Sequence, residues 1–382
     1  MFKIGDKILL TPPLGWNSWN AWGIAVSDER VRQSANGMIT SGLVNHGWTY
    51  INIDDGWQGE RDADGNILTN EKFPDMEGLG DYLHSLGLKY GIYSSPGATS
   101  CGGLTGALNH EAQDVKTWAS WGVDYIKYDW CSYTDYLKEK GKTQEDWTVE
   151  EQVHPFKLIS DAIQENDRDI VLSVANWGMN NAWEWADQTG GQLWRTTGDI
   201  DDSWESLKGI GFTQETPASY TRPSGWGDPD MLIVGWVGWG EHLHQSELTP
   251  AEQYTHISLW SLLAAPLLIG CDLDRMDAFT YNLLANDEVI AINQDPLGKA
   301  AKVVYNQDDI MIWVKELHNG NRAVGIFNLA DEDRKTEVNW TEIDLASFST
   351  LRDAWRQQDL KMGKEYEGEV EAHGVQLVVL GE

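Results

Sequence analysis

Eight short apolar runs alternate with helical segments between residues 14 and 272, and this alternation constrains the fold more than any other feature. In chain order the runs are LGWNSW (14–19), YINIDD (50–55), LKYGIYS (88–94), YIKYDW (125–130), IVLSVAN (170–176), LWRTTGD (193–199), DMLIVG (230–235) and PLLIGCD (266–272). Because strands that alternate with helices form parallel sheets, eight such units predict a (β/α)8 TIM barrel. The alternative is an open doubly wound sheet, but no glycine-rich phosphate loop follows the first run.

Capping residues mark several of the intervening helices. Ser27 precedes an amphipathic segment, and residues 111–121 and 150–164 have helical periodicity. Thr249-Pro250-Ala251-Glu252 has the pattern of a capping box, in which the threonine and the glutamate satisfy each other's backbone N–H groups. These patterns predict helices between the strands.

The pattern changes after Pro296-Leu297-Gly298. The segments that follow are short, β-rich and separated by turns; they are AKVVYN, IMIWVKEL, RAVGIFNL, TEVNWTEI and VQLVVL. They predict a C-terminal antiparallel β-sandwich. A chain of 382 residues exceeds the usual size of a single core, so we expect a catalytic barrel at 1–298 and a β-sandwich domain at 299–382.

Charge and composition limit the classes of partner that we expect this protein to bind. The chain has 28 basic and 60 acidic residues, a net charge of −32, which argues against nucleic acid because phosphate binding needs a basic surface. No apolar run reaches the ~18 residues that span a bilayer, so no membrane partner is expected. The excess of acidic side chains is explained by their solvation at the protein surface. The 21 Trp, against 7 Phe, suit a neutral sugar, since flat aromatic faces pack on its C–H groups.

Two carboxylates stand at the ends of apolar runs, Asp129 in YIKYDW and Asp199 in LWRTTGD. Parallel barrels build their active sites at the carboxyl ends of the strands, and glycoside hydrolysis needs one carboxylate nucleophile and one proton donor. Lys127 lies two residues before Asp129 and therefore on the same face of the strand. Its ammonium would stabilise an ionised carboxylate, which favours Asp129 as the nucleophile. The alternative is a buried ion pair without a catalytic role.

Other polar residues at run ends have both a functional and a structural interpretation. The pair Asp54-Asp55 either accepts hydrogen bonds from neighbouring sugar hydroxyls or caps a turn at Gly56. Arg195 either binds a hydroxyl or orients a carboxylate. Asp230 either contacts a ligand or completes the turn that begins at Gly227. Asp202 or Ser203 is expected to cap the helix that begins near Trp204.

Metal and cofactor motifs are weak or missing in the sequence. Glu241-His242-Leu243-His244 contains an H-x-H pair but lacks a third ligand at a characteristic spacing, so no metal is expected. No Walker loop, dinucleotide fingerprint or Ser/His/Asp elbow is present, and no cofactor is expected.

Taken together, the motifs resemble family 27 of the glycoside hydrolases, the α-galactosidase and α-N-acetylgalactosaminidase family. The matching segments run in order from residue 12 to 298: PPLGWNSWN, NIDDGW, FPDMEGLGDYLHSLGLKYGIY, WGVDYIKYDWC, WRTTGDIDDSW, GWGDPDML, APLLIG and DEVIAINQDPLG. The resemblance implies an exo-acting, retaining α-galactosidase that forms a covalent galactosyl-enzyme. Its partner would be a small molecule or an oligosaccharide with a terminal α-galactose, and the oligomeric state stays open.

The resemblance also implies residue roles. Asp129 matches the nucleophile and Asp199 the general acid/base. The residues that match the sugar-binding subsite are Trp16, Asp54, Asp55, Tyr93, Lys127, Trp177, Arg195, Asp230 and Met231. In the family the acids matching Asp54 and Asp55 bind the 4- and 6-hydroxyls of galactose. Cys101 and Cys131 match a pair that forms a disulfide beside the site, which leaves Cys271 as an expected buried free thiol.

Three positions depart from the family pattern. Gly56 stands where many members have Cys, so a second disulfide is not expected. Ala175-Asn176 replaces a common Cys-Glu pair near the sugar's 2-position, and we expect the Asn176 amide to bind a hydroxyl and galactose to be preferred. Residues 234–249 form a long loop that would shape an aglycone subsite.

The rival activities are those of an α-N-acetylgalactosaminidase, a β-L-arabinopyranosidase or a non-catalytic galactose-binding protein. The sequence begins without a recognisable signal peptide. We expect a secreted or periplasmic protein, made with a leader outside this sequence, rather than a cytoplasmic one.

Overall fold

The computed structural model describes residues 8–144 and 147–381. Its first part contains strands β1 Leu14–Asn17, β2 Tyr50–Asn52, β3 Gln58–Arg61, β4 Ile67–Thr69, β5 Lys89–Ser94, β6 Tyr125–Asp129, β7 Val171–Ala175, β8 Leu193–Arg195, β9 Trp226–Asp228, β10 Trp236–Val237, β11 His244–Gln245 and β12 Leu267–Ile269. Eight of these strands form one parallel sheet in the order β12-β1-β2-β5-β6-β7-β8-β9. A parallel bridge between Leu232 and Ile269 links the two edges, so the sheet curls into the predicted TIM-like barrel.

Helices lie between the barrel strands. They are α1 Trp19–Trp22, α2 Asp28–Ser41, α3 Met76–Ser85, α4 Glu111–Ser120, α5 Tyr133–Glu139, α6 Val149–Gln164, α7 Trp204–Gly211, α8 Glu215–Ala218, α9 Pro250–Leu262, α10 Ala278–Leu284 and α11 Asp287–Asn293. The predicted caps are confirmed: the Ser27 hydroxyl accepts from Arg30 N, and Thr249 forms a full capping box with Glu252. Ser203, one of the two residues considered, caps α7 by accepting from Ser206 N.

The position of the seventh strand was predicted wrongly. The sequence places it at residues 230–235, but the structure forms it earlier, at Trp226–Asp228. Pro229 has no N–H to give to a sheet, and Asp230 has a φ of 100°, so the chain leaves the extended conformation there. Of the predicted strand, Leu232 alone makes a bridge to the sheet. Asp230 therefore lies in the irregular segment after the strand instead of opening it.

The C-terminal part is an antiparallel β-sandwich, as predicted. Its strands are β13 Lys302–Gln307, β14 Ile310–Glu316, β15 Arg322–Asn328, β16 Arg334–Asn339, β17 Thr350–Asp353, β18 Gln358–Leu360, β19 Glu365–Val370 and β20 Val375–Gly381. Six form one sheet in the order β13-β14-β15-β20-β17-β18, and β16 pairs with β19. The placement of the domain boundary after residue 298 stays a prediction.

The two parts share a core. Trp313, Phe327 and Leu377 of the six-stranded sheet belong to the same apolar cluster as Leu259 and Trp260 of α9. Polar contacts follow the same junction: the buried Lys315 ammonium donates to Ser261 O at 3.1 Å. No helix in the described residues is long and apolar enough to span a membrane.

Candidate active site

Lys127 and Asp129 reach the barrel mouth from β6. Lys127 Nζ lies 2.8 Å from Asp54 Oδ2 and 4.0 Å from Asp129 Oδ2. Asp129 is 6% exposed, and its Oδ1 has no hydrogen-bond partner among the described residues. A buried carboxylate with one cation on one oxygen and a free second oxygen is suited to attack an electrophilic carbon.

Asp54 and Asp55 follow β2 and are both buried. The protein satisfies Asp54 fully: its Oδ2 accepts from Asn17 Nδ2 at 2.9 Å as well as from Lys127, and its Oδ1 accepts from Asp55 N at 2.9 Å. Asp55 Oδ2 accepts from Gly102 N at 2.7 Å, whereas its Oδ1 has no partner among the described residues. The two acids are thus unequal, because Asp55 keeps a free acceptor and Asp54 does not.

Arg195, at the end of β8, joins the second carboxylate to Asp230. Its Nη2 lies 3.0 Å from Asp199 Oδ1 and 3.2 Å from Asp230 Oδ2, and it also donates to Gly198 O at 2.8 Å. Asp230 is held further by Ile200 N, which donates to its Oδ2 at 2.9 Å. The Asp199 side chain is 64% exposed, so it stands at the rim of the mouth while Arg195 and Asp230 lie below it.

The two candidate catalytic acids have opposite pKa shifts. Burial raises the pKa of Asp129 to about 7; Lys127 counteracts this, while the Asp199 charge adds to it. Partial desolvation raises the pKa of Asp199, but the Arg195 and Lys127 cations outweigh that effect and hold the pKa below its usual range. Burial also raises the pKa of Asp230 against the effect of Arg195. In this geometry the proton is favoured on Asp129, the reverse of what a nucleophile and a proton donor require.

Aromatic residues and the disulfide flank the acids. Trp16, at the end of β1, is fully buried and its Nε1 donates to Cys271 O at 2.7 Å. The Tyr93 hydroxyl lies 3.0 Å from Cys131 Sγ, and its ring lies 5.2 Å from Lys127 Nζ. Cys101 and Cys131 form the predicted disulfide, with Cα atoms 4.9 Å apart, and Cys271 is the predicted buried free thiol.

The remaining residues expected to bind the sugar are buried or half-buried. Asn176 is fully buried, and its Nδ2 donates to Gln152 Oε1 at 3.0 Å and to Met179 O at 3.1 Å. Its Oδ1 alone has no partner among the described residues. Trp177 is half-buried with a φ of 59°, and Met231 is buried. Any contact from Asn176 to a hydroxyl would use the amide oxygen, because the protein occupies its NH2 group.

Sequence reasoning missed several residues that hold the site together. Asn17 binds Asp54 through its side chain, and the Ser18 hydroxyl accepts from Asp54 N at 2.9 Å. Asp228, which lies within the turn that the sequence predicts to begin at Gly227, is buried and accepts from Asp230 N at 2.9 Å. Gly102 supplies the amide that binds Asp55. Asn17 stands at a strand end and was detectable by the reasoning used for Asp129, whereas nothing local marks Gly102.

One group of possible metal ligands occurs among the described residues: Cys101, Asp129 and Cys131. Its two cysteines are bonded to each other, so they offer no thiolates to an ion. His244 of the H-x-H pair lies 3.7 Å from Asp202 and is not in this group.

Comparison with known proteins places this site in a family. The model of the family described as "Alpha galactosidase A" matches residues 11–295, and that of the "Alpha galactosidase C-terminal beta sandwich domain" matches 307–380. An α-galactosidase of Cyamopsis tetragonoloba is 39% identical over 378 residues, which cover 97% of this chain and 86% of that protein.

Solved structures of related glycosidases have the same fold. The crystal structure of α-galactosidase I from Mortierella vinacea superimposes with a TM-score of 0.89 at 31% identity, covering 98% of this chain and 97% of that one. A family 27 β-L-arabinopyranosidase from Geobacillus stearothermophilus gives 0.86 at 26% identity, covering 97% and 96%. The fold and the matched residues define a glycoside hydrolase. The chain belongs to the α-galactosidase family and is a glycosidase.

Proposed function

We propose that this protein is an exo-acting, retaining α-galactosidase. The observation that carries the proposal is the arrangement of the two acids: Asp129 lies deep beside Lys127, and Asp199 lies at the exposed rim on Arg195. A deep carboxylate reaches the anomeric carbon of a sugar held in the barrel, and a rim carboxylate reaches the bond that joins this sugar to its leaving group.

In the first step Asp129 attacks the anomeric carbon while Asp199 protonates the departing oxygen. This forms a β-galactosyl ester on Asp129. In the second step Asp199 takes a proton from water, which attacks the same carbon and releases α-galactose. Two inversions at one carbon retain its configuration.

The protonation order in the ligand-free site must reverse before the first step. The ligand-free site favours the proton on Asp129, and the reactive state has the same proton on Asp199. Both states carry one proton between two interacting acids, so the pair titrates as a unit. A substrate whose glycosidic oxygen accepts a hydrogen bond from Asp199 stabilises the reactive arrangement, because that bond exists only when Asp199 is protonated.

The preference for galactose rests on Asp54 and Asp55. Asp55 keeps one buried oxygen free for a hydroxyl, and Asp54 is fixed beside it by Asn17 and Lys127. A site that leaves an acceptor unpaired rejects a sugar that lacks the matching hydroxyl, because the acceptor then stays desolvated without a partner. This favours galactose over arabinopyranose, which lacks the exocyclic carbon and its hydroxyl.

Two measurements test the proposal. The first compares kcat/KM for the 4-nitrophenyl glycosides of α-galactose, α-N-acetylgalactosamine and β-L-arabinopyranose, and we expect the α-galactoside to be preferred. The second follows hydrolysis by proton NMR, where α-galactose should appear before mutarotation produces the β anomer. An initial β anomer would refute retention, and a preference for another glycoside would refute the assignment to galactose.

A further inference from the structure

His373, in the turn between β19 and β20, connects the β-sandwich to the barrel helix α7. Its imidazole ring lies nearly parallel to the indole of Trp204, the first residue of α7, with ring centroids 4.1 Å apart and an angle of 12° between the planes. The His373 side chain is 17% exposed and Trp204 is 9% exposed, so the stack is largely shielded from water. This contact joins the N-terminus of α7 to the β-sandwich.

Polar contacts hold the His373 ring in its orientation. Its Nδ1 lies 2.6 Å from Glu252 Oε1 of α9, and its Nε2 lies 2.9 Å from Asp331 Oδ1. The Thr255 hydroxyl, also on α9, donates to His373 O at 2.7 Å. The backbone of His373 has a φ of 57°, in the left-handed region that histidine enters more often than most residues with a side chain. Groups from both parts of the molecule therefore fix the ring that packs on Trp204.

Helix α7 is tied to the residues that lead into it. Ser203 caps the helix by accepting from Ser206 N at 3.2 Å, and its own hydroxyl donates to Asp201 Oδ1 at 2.6 Å. In return, the Ser206 hydroxyl accepts from Asp201 N at 3.0 Å. These bonds make residues 201–206, which include Trp204, a single folded unit.

The position of Asp199 depends on this unit. The Asp199 side chain is 64% exposed, so little packing surrounds it, and it is paired with Arg195 at the end of β8. The chain is therefore fixed by β8 before Asp199 and by residues 201–206 after it. A general acid must lie within hydrogen-bond reach of the leaving oxygen, and a displacement of about 1 Å lowers the rate of such a step by about 100-fold.

We propose that His373 is a positioning residue for Asp199: its stack on Trp204 sets the position of α7 and, through residues 201–206, that of the carboxylate. The inference rests on the proposed function, in which Asp199 protonates the leaving oxygen. The β-sandwich thereby contributes to the first chemical step from outside the barrel.

The test compares two substrates that differ in their need for a proton. Phenyl α-galactoside needs the general acid, whereas the 2,4-dinitrophenolate of the second substrate leaves as an anion without it. His373→Gly removes the ring and tolerates the observed φ. Trp355→Ala is the matched control: it removes an aromatic residue that joins the β-sandwich to α9 instead of α7, where its Nε1 donates to Ser258 Oγ at 2.8 Å.

We expect His373→Gly to lower kcat/KM for phenyl α-galactoside by about tenfold or more, as for a displacement of less than about 1 Å. For the 2,4-dinitrophenyl substrate the loss should be less than about twofold, because proton donation contributes little to that reaction. Trp355→Ala should leave the ratio of the two kcat/KM values at that of the parent. A parental ratio in His373→Gly, or the same change of ratio in Trp355→Ala, would overturn the inference.

Asp199→Ala separates this inference from the proposed function. It should show the same selective loss on the phenyl substrate, with a larger magnitude. Equal losses of Asp199→Ala on both substrates would refute the proposed function and this inference with it. A selective loss in Asp199→Ala without one in His373→Gly would refute the positioning role alone.

If His373→Gly does not fold, His373→Asn takes its place in the same comparison. Asparagine adopts a positive φ readily, and its amide is a donor for Glu252, but it has no ring to place on Trp204. We expect the same selective loss on phenyl α-galactoside, and a parental ratio in His373→Asn would overturn the role of the stack.

Discussion

Replacing Lys127 with Met should lower the plateau of the pH profile of kcat/KM and move its basic limb upward. Lys127 Nζ lies 4.0 Å from Asp129 Oδ2, and Asp129 has a pKa of about 7 with this cation present. At an effective dielectric constant of about 20, two charges at this distance interact by roughly 4 kcal/mol, or about three pKa units. The observed effect of one cation on a neighbouring carboxylate is about 1–3 units, so we expect a shift of about 2.

The consequence for activity depends on pH. At pH 6 the parent pair mostly holds one proton, and a rise of about two units in the pKa of Asp129 makes the reactive arrangement, with that proton on Asp199, about 100-fold rarer. kcat/KM for an aryl α-galactoside should therefore fall about 100-fold at pH 6. The fall should be much smaller at pH 9, because the parent pair has largely lost this proton there whereas the variant pair still holds it in about half of the molecules. The measurement is kcat/KM from pH 4 to 9.5 for the parent and Lys127→Met.

Asn17→Ala is the matched control for this experiment. Asn17 donates to the same Asp54 oxygen as Lys127 but carries no charge. Its removal should lower kcat/KM by a similar factor at every pH and leave the basic limb in place. A Lys127→Met profile that falls uniformly, without moving along the pH axis, would refute an electrostatic role for this lysine.

Three further predictions follow from the same geometry. The pKa of Asp129 is higher in the folded protein than in the unfolded chain, so the contribution of Asp129 to the free energy of unfolding is present below about pH 4 and is lost as pH rises through about 7. Calorimetry should therefore show a higher Tm for Asp129→Asn than for the parent at pH 8, and little difference in Tm at pH 4.5. Thiol titration of the unfolded, unreduced protein should find one thiol, Cys271, and three would contradict the disulfide. Asp55→Ala should lower kcat/KM more for an α-galactoside than for a β-L-arabinopyranoside, and equal losses would rule out contact with the 6-hydroxyl.

Elements with strong local patterns were predictable from sequence. The caps at Ser27 and Thr249 depend on residues within one helical turn, so tertiary structure did not alter them. The seventh strand was misplaced because its most apolar stretch, residues 230–235, follows Pro229 and forms a mostly buried, irregular segment instead. Strand β19 was missed because half of the residues of EYEGEV are charged and the strand pairs only with β16. Hydrophobicity alone does not identify such strands.

The acids of the site were predictable because barrel topology brings strand ends together. Their individual environments were not. Asp54 is fully bonded because of Asn17 and Lys127, which lie 37 and 73 residues away along the chain. Which Asp55 oxygen is occupied depends on Gly102, which lies 47 residues away. The NH2 group of Asn176 is occupied because Gln152 of α6 accepts from it. Contacts between segments that are distant in sequence decide which polar atoms of a carboxylate or an amide remain free to bind a ligand. Local sequence patterns do not predict these contacts.

Helix α9 limits how this enzyme can be shortened. From Glu252 to Leu262 every residue except Tyr254 is buried, because the barrel covers one side and the β-sandwich the other. A barrel truncated after residue 298 would expose this helix and leave the Ser261 carbonyl without the Lys315 ammonium. The β-sandwich is therefore no detachable accessory module, and a minimal enzyme must keep it.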